Sequence, residues 1–163
     1  MVPVDYTNFF VAVLTASASF IGLLFVAMTL IVDKSSKSRK QIVKENISAE
    51  ASYIALLNLF FVALVALTPQ AQLNYVMAIM GVLGILSSVR LFRSGLRNGA
   101  SRGILGISTV IYVLEIVYGV YLIFNSNKTI SETLLLIIVF TLFGSALGRA
   151  WELTGIHDEH DKT

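Results

Sequence analysis

A single carboxylic acid, Glu115, interrupts the interior of the long apolar segments of this sequence. An ionised side chain costs several kcal/mol within a membrane, so a carboxyl there is expected to face other protein groups or water. Its type and place suggest either a group that takes up and releases a proton or cation, or a protonated acid that only hydrogen-bonds Asn58 or a tyrosine. The sequence favours neither role and leaves the protonation state of Glu115 open.

Further polar side chains are predicted at about the depth of Glu115. Tyr112 lies three residues before it and Tyr118 three residues after it, which places all three along one stripe of a helix. Other apolar segments carry a polar residue at or near their centres. The candidate ion- or proton-sensitive residues are therefore Glu115, Asn58, Tyr112, Tyr118, Ser19 and Thr141.

The residues that most membrane enzymes need are missing from the apolar segments. The chain has no cysteine, which excludes disulfides, thiolate metal sites and cysteine nucleophiles. Intramembrane hydrolysis needs an activated nucleophile, a carboxylate pair or a metal site, and these segments contain neither His nor Asp. His157 and His160 fall in the terminal HDEHDKT, where a solvated acidic tail is favoured over a weak metal site. We therefore expect no enzymatic activity, no cofactor and no metal.

The composition indicates the class of protein that positions these residues. Of the 163 residues, 56% are hydrophobic and 13% are charged, and the mean hydropathy is +0.79. Soluble domains have roughly 25% charged residues, so the chain is predicted to be an integral membrane protein with a single all-α domain. A net charge of +2 without a large basic soluble surface argues against nucleic-acid binding.

Five segments are long and apolar enough for membrane helices, which need about 20 residues each. They predict a bundle of five transmembrane helices and, over 152–163, a mobile cytoplasmic tail. The predicted spans are 8–32, 49–68, 73–92, 103–124 and 133–151.

The charges between these spans predict the orientation of the chain. The connections 33–48 and 90–102, together with Arg149 and Lys162 at the end of the chain, hold all but one of the 12 Lys and Arg residues. The turn 69–72, on the opposite side, has no charge. Because cytoplasmic loops carry an excess of cations, we predict an N-terminus outside and a C-terminus in the cytoplasm.

This orientation can be tested by cysteine labelling, because the chain has no cysteine of its own. Gln70→Cys is expected to react with a membrane-impermeant maleimide added to intact cells, and Ser36→Cys is expected to react only after the membrane is permeabilised. The opposite labelling pattern would overturn the predicted orientation.

Cations at helical spacing in two inner connections predict cytoplasmic extensions of spans one and three. One interpretation is a site for anionic lipids or a nucleotide on the cytoplasmic side. Ordinary positive-inside charge at the headgroup level is favoured over it. The candidate anionic-lipid contacts are Lys34, Lys37, Lys40, Lys44, Arg90, Arg93, Arg97 and Arg102.

Small residues on one face let membrane helices approach closely, and three spans have such a face. Packing within the chain is favoured for any one of them, but three exceed what a monomer needs, so we predict a homo-oligomer. Five short helices enclose at most a narrow path, and a pore would form more easily between protomers. The candidate packing glycines are Gly81, Gly84, Gly144 and Gly148.

The first span, FFVAVLTASASFIGLLFVAMTLIVDK, resembles the opening of small uncharacterised bacterial multi-span membrane proteins. Those proteins also begin with an aromatic pair, an Ala/Ser-rich turn and a Gly-Leu-x-Phe-Val segment. The stretch GRAWELTG, from Gly148 to Gly155, is similar to their ends. The resemblance implies location in the bacterial inner membrane and carries no known activity or site residues.

Two functions agree with these observations. The first is an oligomeric ion or proton channel, or a small transporter, in which Glu115 is the sensitive group. The second is a membrane subunit that conducts nothing and modulates a partner protein. The convergence of polar residues at one depth favours the first, whereas the small number of polar residues in the spans argues against a continuous aqueous path.

Overall fold

The chain folds into five α-helices in a computed structural model, which describes residues 6–30, 39–68, 72–98, 102–124 and 132–152. No strand occurs among these residues, so the prediction of an all-helical fold is confirmed. The predicted tail beyond Glu152 lies outside the described residues. The helices are α1 (Thr7–Leu30), α2 (Arg39–Leu67), α3 (Leu73–Asn98), α4 (Arg102–Phe124) and α5 (Glu132–Glu152).

Four of the helices have the length and hydropathy of membrane-spanning helices: Thr7–Thr29, Glu45–Leu67, Leu73–Arg93 and Leu134–Trp151. At about 1.5 Å per residue, segments of this length match a hydrocarbon core of about 30 Å. In α4 the apolar segment among the described side chains is Thr109–Phe124, which is shorter than a full span.

The exposed surface of the bundle is largely apolar, whereas several polar side chains are buried. Leu23, Leu86 and Phe140 are each more than 60% exposed, in the middle of helices. This arrangement suits a lipid environment, in which the outer face of each helix gains nothing from polar residues. The buried polar or charged side chains are Ser17, Ser52, Asn58, Ser88, Glu115 and Arg149.

Helix α2 lies at the centre of the bundle and packs against α1, α3 and α5. Helix α4 packs mainly against α3 and, over a smaller area, against α5. The buried core includes Phe10 of α1, Leu59 of α2, Met77 of α3, Tyr112 of α4 and Leu142 of α5. All five helices therefore contribute to one buried core. Because α4 packs mainly against α3, only its longer side chains contact α2.

Glycines produce the close α3–α4 contact. A Cβ at Gly81 would lie 2.6 Å from Ile116 Cγ1, and one at Gly84 would overlap the ring of Tyr112. From the other side, a Cβ at Gly119 would lie 2.7 Å from the backbone nitrogen of Ala78. Gly81 and Gly84 thus pack against another helix of the same chain, which is the role that the sequence analysis favoured for such glycines.

Gly144 and Gly148 of α5 behave differently from the glycines of α3. Both are exposed, and a Cβ built at either position would meet nothing within 4 Å. Packing within the chain, the favoured role for such a face, is therefore wrong for this pair. The glycine edge of α5 is open to lipid or to another helix.

One expectation about the charged ends of the helices is wrong. Lys40 and Lys44 belong to α2, which begins at Arg39, and do not extend the first span, whose helix ends at Leu30. Arg149 lies near the end of the apolar segment Leu134–Trp151 of α5 and is only 3% exposed. The third-span extension is present, since α3 continues to Asn98 and includes Arg93 and Arg97. Lys34 and Lys37 lie outside the described residues.

Candidate functional site

Glu115 and Asn58 form a buried hydrogen-bonded pair between α4 and α2. Asn58 Nδ2 donates to Glu115 Oε2 at 2.8 Å. The exposed fraction is 0% for Glu115 and 1% for Asn58, so neither side chain reaches the surface of the protomer. The carboxyl therefore faces protein and not lipid, and the amide of Asn58 is the group that it bonds.

Helical spacing explains how α4 places Glu115 in the interior. Ile111, Tyr112, Glu115, Tyr118 and Leu122 are buried and recur at intervals of one, three, three and four residues, which is one face of an α-helix. Residues between them, such as Leu114 and Val117, are more than half exposed to the surroundings. The polar stripe predicted on this helix is thus its inward face.

Apolar and small side chains prepare the place of Asn58 on α2. Ala51, Ala55, Leu59 and Val62 are almost fully buried on the same helix. The alanines allow the neighbouring helices to approach closely, and the larger residues fill the core around the amide. Asn58 is the polar side chain that this surface offers to Glu115.

Each member of the pair keeps one polar atom without a hydrogen bond. Glu115 Oε1 and Asn58 Oδ1 are buried and have no partner among the described residues. A polar group that is buried without a partner destabilises a protein by about 1–3 kcal/mol, so native structures contain few of them. The two open oxygens give this pair the capacity to bind a proton or another ligand.

Two tyrosines flank Glu115 along α4. Tyr112, three residues before Glu115, is 1% exposed. Tyr118, on the other side of Glu115, is also buried, at 4% exposure. The bundle thus buries a series of polar side chains: Asn58, Glu115, Tyr112, Tyr118 and Arg149.

Arg149 is the residue of this series that the sequence argument missed. Its charge suggested the cytoplasmic end of the chain, whereas the structure buries it in the last turn of α5. Arg149 falls three residues after the small Ala146, which is fully buried against α2. Residues three apart on a helix share a face, so Arg149 follows Ala146 inward.

Ser19 and Thr141 do not join the other four candidate site residues. Both side chains are exposed on the outside of the protomer. Ser19 Oγ donates to the carbonyl of Thr15 at 2.9 Å, and the hydroxyl of Thr141 donates to the carbonyl of Ile137. Hydroxyls that bond to their own helix can face lipid without losing a hydrogen bond.

The cationic candidates within the described residues lie towards the helix ends, apart from the buried pair. Arg90 forms an ion pair with Glu50 that joins α3 to α2, and Arg93 is exposed one turn further along α3. Arg102 is the first residue of α4. These positions agree with headgroup-level charge, which is the favoured interpretation of the cluster.

Comparison of the chain with protein-family models, with curated proteins and with solved structures finds no match.

Proposed function

We propose that the chain is a small proton- or cation-translocating membrane protein, in which Glu115 takes up and releases the ion. The observation that carries this proposal is the Asn58–Glu115 pair, in which a carboxyl with no exposed surface retains an open oxygen. An ionisable residue within a membrane segment is retained at a cost and is typical of ion and proton pathways. Tyr112 and Tyr118, buried on either side along α4, supply hydroxyls for a pathway.

The proposed pathway runs inside each protomer and not between protomers. The sequence favoured a pore between protomers, but Glu115, Asn58 and Tyr112 are all buried within one chain. A narrow internal series of polar groups suits the stepwise transfer of a small ion better than an open aqueous pore does. This supports a transporter or a proton pathway over a wide channel.

We further propose that α4 spans the membrane together with the other four helices, with the N-terminus outside and the C-terminus in the cytoplasm of a bacterium. The 23 residues of α4 match the length of the other spans, and α4 packs along α3 through the glycine contact. The exposed Arg90 and Arg93 at the carboxyl end of α3 support a cytoplasmic position for that end, where they meet anionic lipid headgroups.

A non-conducting effector subunit is the second candidate function. The open glycine edge of α5 favours it, because Gly144 and Gly148 offer a surface to another helix. The same edge also suits a second copy of this chain. We propose that a second copy of this chain packs on this edge, since a homo-oligomer needs no further protein. A partner protein at the same edge is the alternative.

The oligomer prediction concerns Gly144→Leu and Gly148→Leu. Native mass spectrometry of the wild-type protein in a mild detergent is expected to show more than one chain, and the leucine variants are expected to shift the population towards monomer, because close helix approach needs small residues. Gly22→Leu, on α1, is the matched control, since Gly22 also has nothing within 4 Å. A monomer in several detergents, with ion flux retained, would contradict the oligomer.

Ion flux into proteoliposomes tests the proposed function directly. Purified protein is reconstituted with a pH-sensitive dye inside the vesicles, and the rate of internal acidification is compared with that of protein-free vesicles under the same potassium diffusion potential. Acidification above the protein-free rate is expected. If neither protons nor monovalent cations cross the vesicle membrane with the potential applied in either direction, the non-conducting alternative is preferred.

A further inference from the structure

The arrangement of donors and acceptors in the Asn58–Glu115 pair is incomplete in a specific way. Asn58 Nδ2 donates to Glu115 Oε2, while Glu115 Oε1 and Asn58 Oδ1 are buried and have no partner among the described residues. An ionised carboxylate only accepts hydrogen bonds, and an amide oxygen also only accepts. With Glu115 ionised, neither open oxygen can satisfy the other.

One proton on the carboxyl would satisfy both oxygens. A carboxylic acid has one O–H donor, and the terminal torsions of Glu and Asn turn easily, so an O–H on Oε1 can be directed at Asn58 Oδ1. We propose that Glu115 carries a proton on Oε1 and forms a two-hydrogen-bond acid–amide pair with Asn58, so that the ion taken by this site is a proton. The inference rests on the proposed function in so far as the pair releases and rebinds that proton during translocation.

The same surroundings do not suit a divalent metal cation. Mg²⁺ and Ca²⁺ are held by about six or more oxygen ligands, and the pair offers two open oxygens.

The helices of the bundle carry several charged and titratable groups. On α4 the buried ones are Tyr112 and Tyr118, and on α5 the buried one is Arg149. Helix α2 carries Glu45 and Glu50 at its inner end, and α3 buries Ser88 but no titratable side chain among its described residues. Tyr6 lies at the start of α1.

Loss of the proton therefore has a mechanical consequence. It removes one of the two proposed hydrogen bonds between α2 and α4, and the resulting carboxylate has to find a new donor, a tyrosine hydroxyl or an entering water. Uptake and release of the proton are thereby coupled to the contact between these two helices.

Infrared spectroscopy of the full-length protein in lipid nanodiscs tests the acid–amide pair. At neutral pH the wild-type spectrum is expected to contain a protonated-carboxyl C=O band that shifts in D₂O. The band should be lost in Glu115→Gln and kept in Glu50→Gln, which makes the same change at the partly exposed carboxyl paired with Arg90. In Asn58→Leu the band should move to higher frequency, because the acid loses its partner.

Each alternative outcome contradicts the inference. Absence of a protonated-carboxyl band assigned to Glu115 in the wild-type protein overturns it, and this measurement needs no variant that might unfold. A band that disappears when sodium or lithium is added at constant pH indicates a metal-cation site. If the band is unchanged in a folded Asn58→Leu variant, the protonated carboxyl of Glu115 is not hydrogen-bonded to Asn58. Proteoliposomes without ion flux would refute the proposed function while leaving the pair itself intact.

Discussion

Gly119→Ala is expected to destabilise the bundle by about 1–3 kcal/mol, as other insertions of a methyl group into a packed interior do. The added Cβ would lie 2.7 Å from the backbone nitrogen of Ala78 and 2.9 Å from the carbonyl oxygen of Asn74. Both are main-chain atoms of α3, so they can yield only if the whole helix moves. Because α3 supplies the main packing surface of α4, such a movement would also displace Glu115 from Asn58.

Thermal unfolding in detergent, followed by circular dichroism, is the measurement for this prediction. Gly106→Ala is the matched control, because it makes the same change on the same helix at a position where a Cβ meets nothing within 4 Å. The midpoint is expected to fall in Gly119→Ala and to stay the same or rise slightly in Gly106→Ala. Equal midpoints for the two variants would show that the glycine contact does not limit the approach of α3 and α4.

Glu115→Ala is expected to cost about 1–3 kcal/mol for the unpaired amide of Asn58, with a further loss for the cavity that the shorter side chain leaves. The amide nitrogen loses its acceptor, and the site is too deeply buried for bulk solvent to replace it. Glu115→Gln keeps the shape and an acceptor oxygen, so its stability should stay close to that of the wild-type protein.

Comparison of the two variants separates the hydrogen bond from the charge. Both are measured by thermal unfolding alongside Glu50→Ala, whose ion pair with Arg90 is largely exposed and should contribute at most about 1 kcal/mol. If Glu115→Ala proves as stable as the wild-type protein, the Asn58–Glu115 bond contributes little to the fold.

The positions of most helices could be predicted from the sequence because hydropathy marks the apolar segments that form them. Runs of about 20 apolar residues have one stable state in a bilayer, and α1, α3 and α5 begin within one residue of the predicted spans. The N-terminal part of α2 was missed, since the helix begins at Arg39 and not near residue 49. Charged residues do not stop a helix where it leaves the hydrocarbon, and hydropathy gives no signal for such an extension.

The rotation of each helix was harder to predict than its depth. Membrane helices are apolar on all sides, so the contrast that marks the inward face of a soluble helix is weak. Glu115 could be assigned inward because a buried carboxyl has no alternative. Ser19 and Thr141 gave no such constraint, since their hydroxyls bond to their own backbone and are free to face outward.

The burial of Arg149 could not be predicted from the sequence for a related reason. Cations near a span end usually extend to the headgroups, and the positive-inside rule counts them by position along the chain without regard to burial. Only the packing of Ala146 against α2 brings the following turn of α5 inward.

The most direct test of the central claim is the pH dependence of proton flux in proteoliposomes that contain wild-type protein, Glu115→Gln or Glu50→Gln. Glutamine retains the shape of the side chain and the bond to Asn58 but cannot ionise. We expect Glu115→Gln to lower flux at least about tenfold, as the loss of a positioned proton-transfer group typically does, and to abolish its dependence on pH. Glu50→Gln should retain both the wild-type rate and its pH profile. Wild-type flux with an unchanged pH profile in a folded Glu115→Gln variant would contradict an ionising role and leave Glu115 as a structural link between α2 and α4.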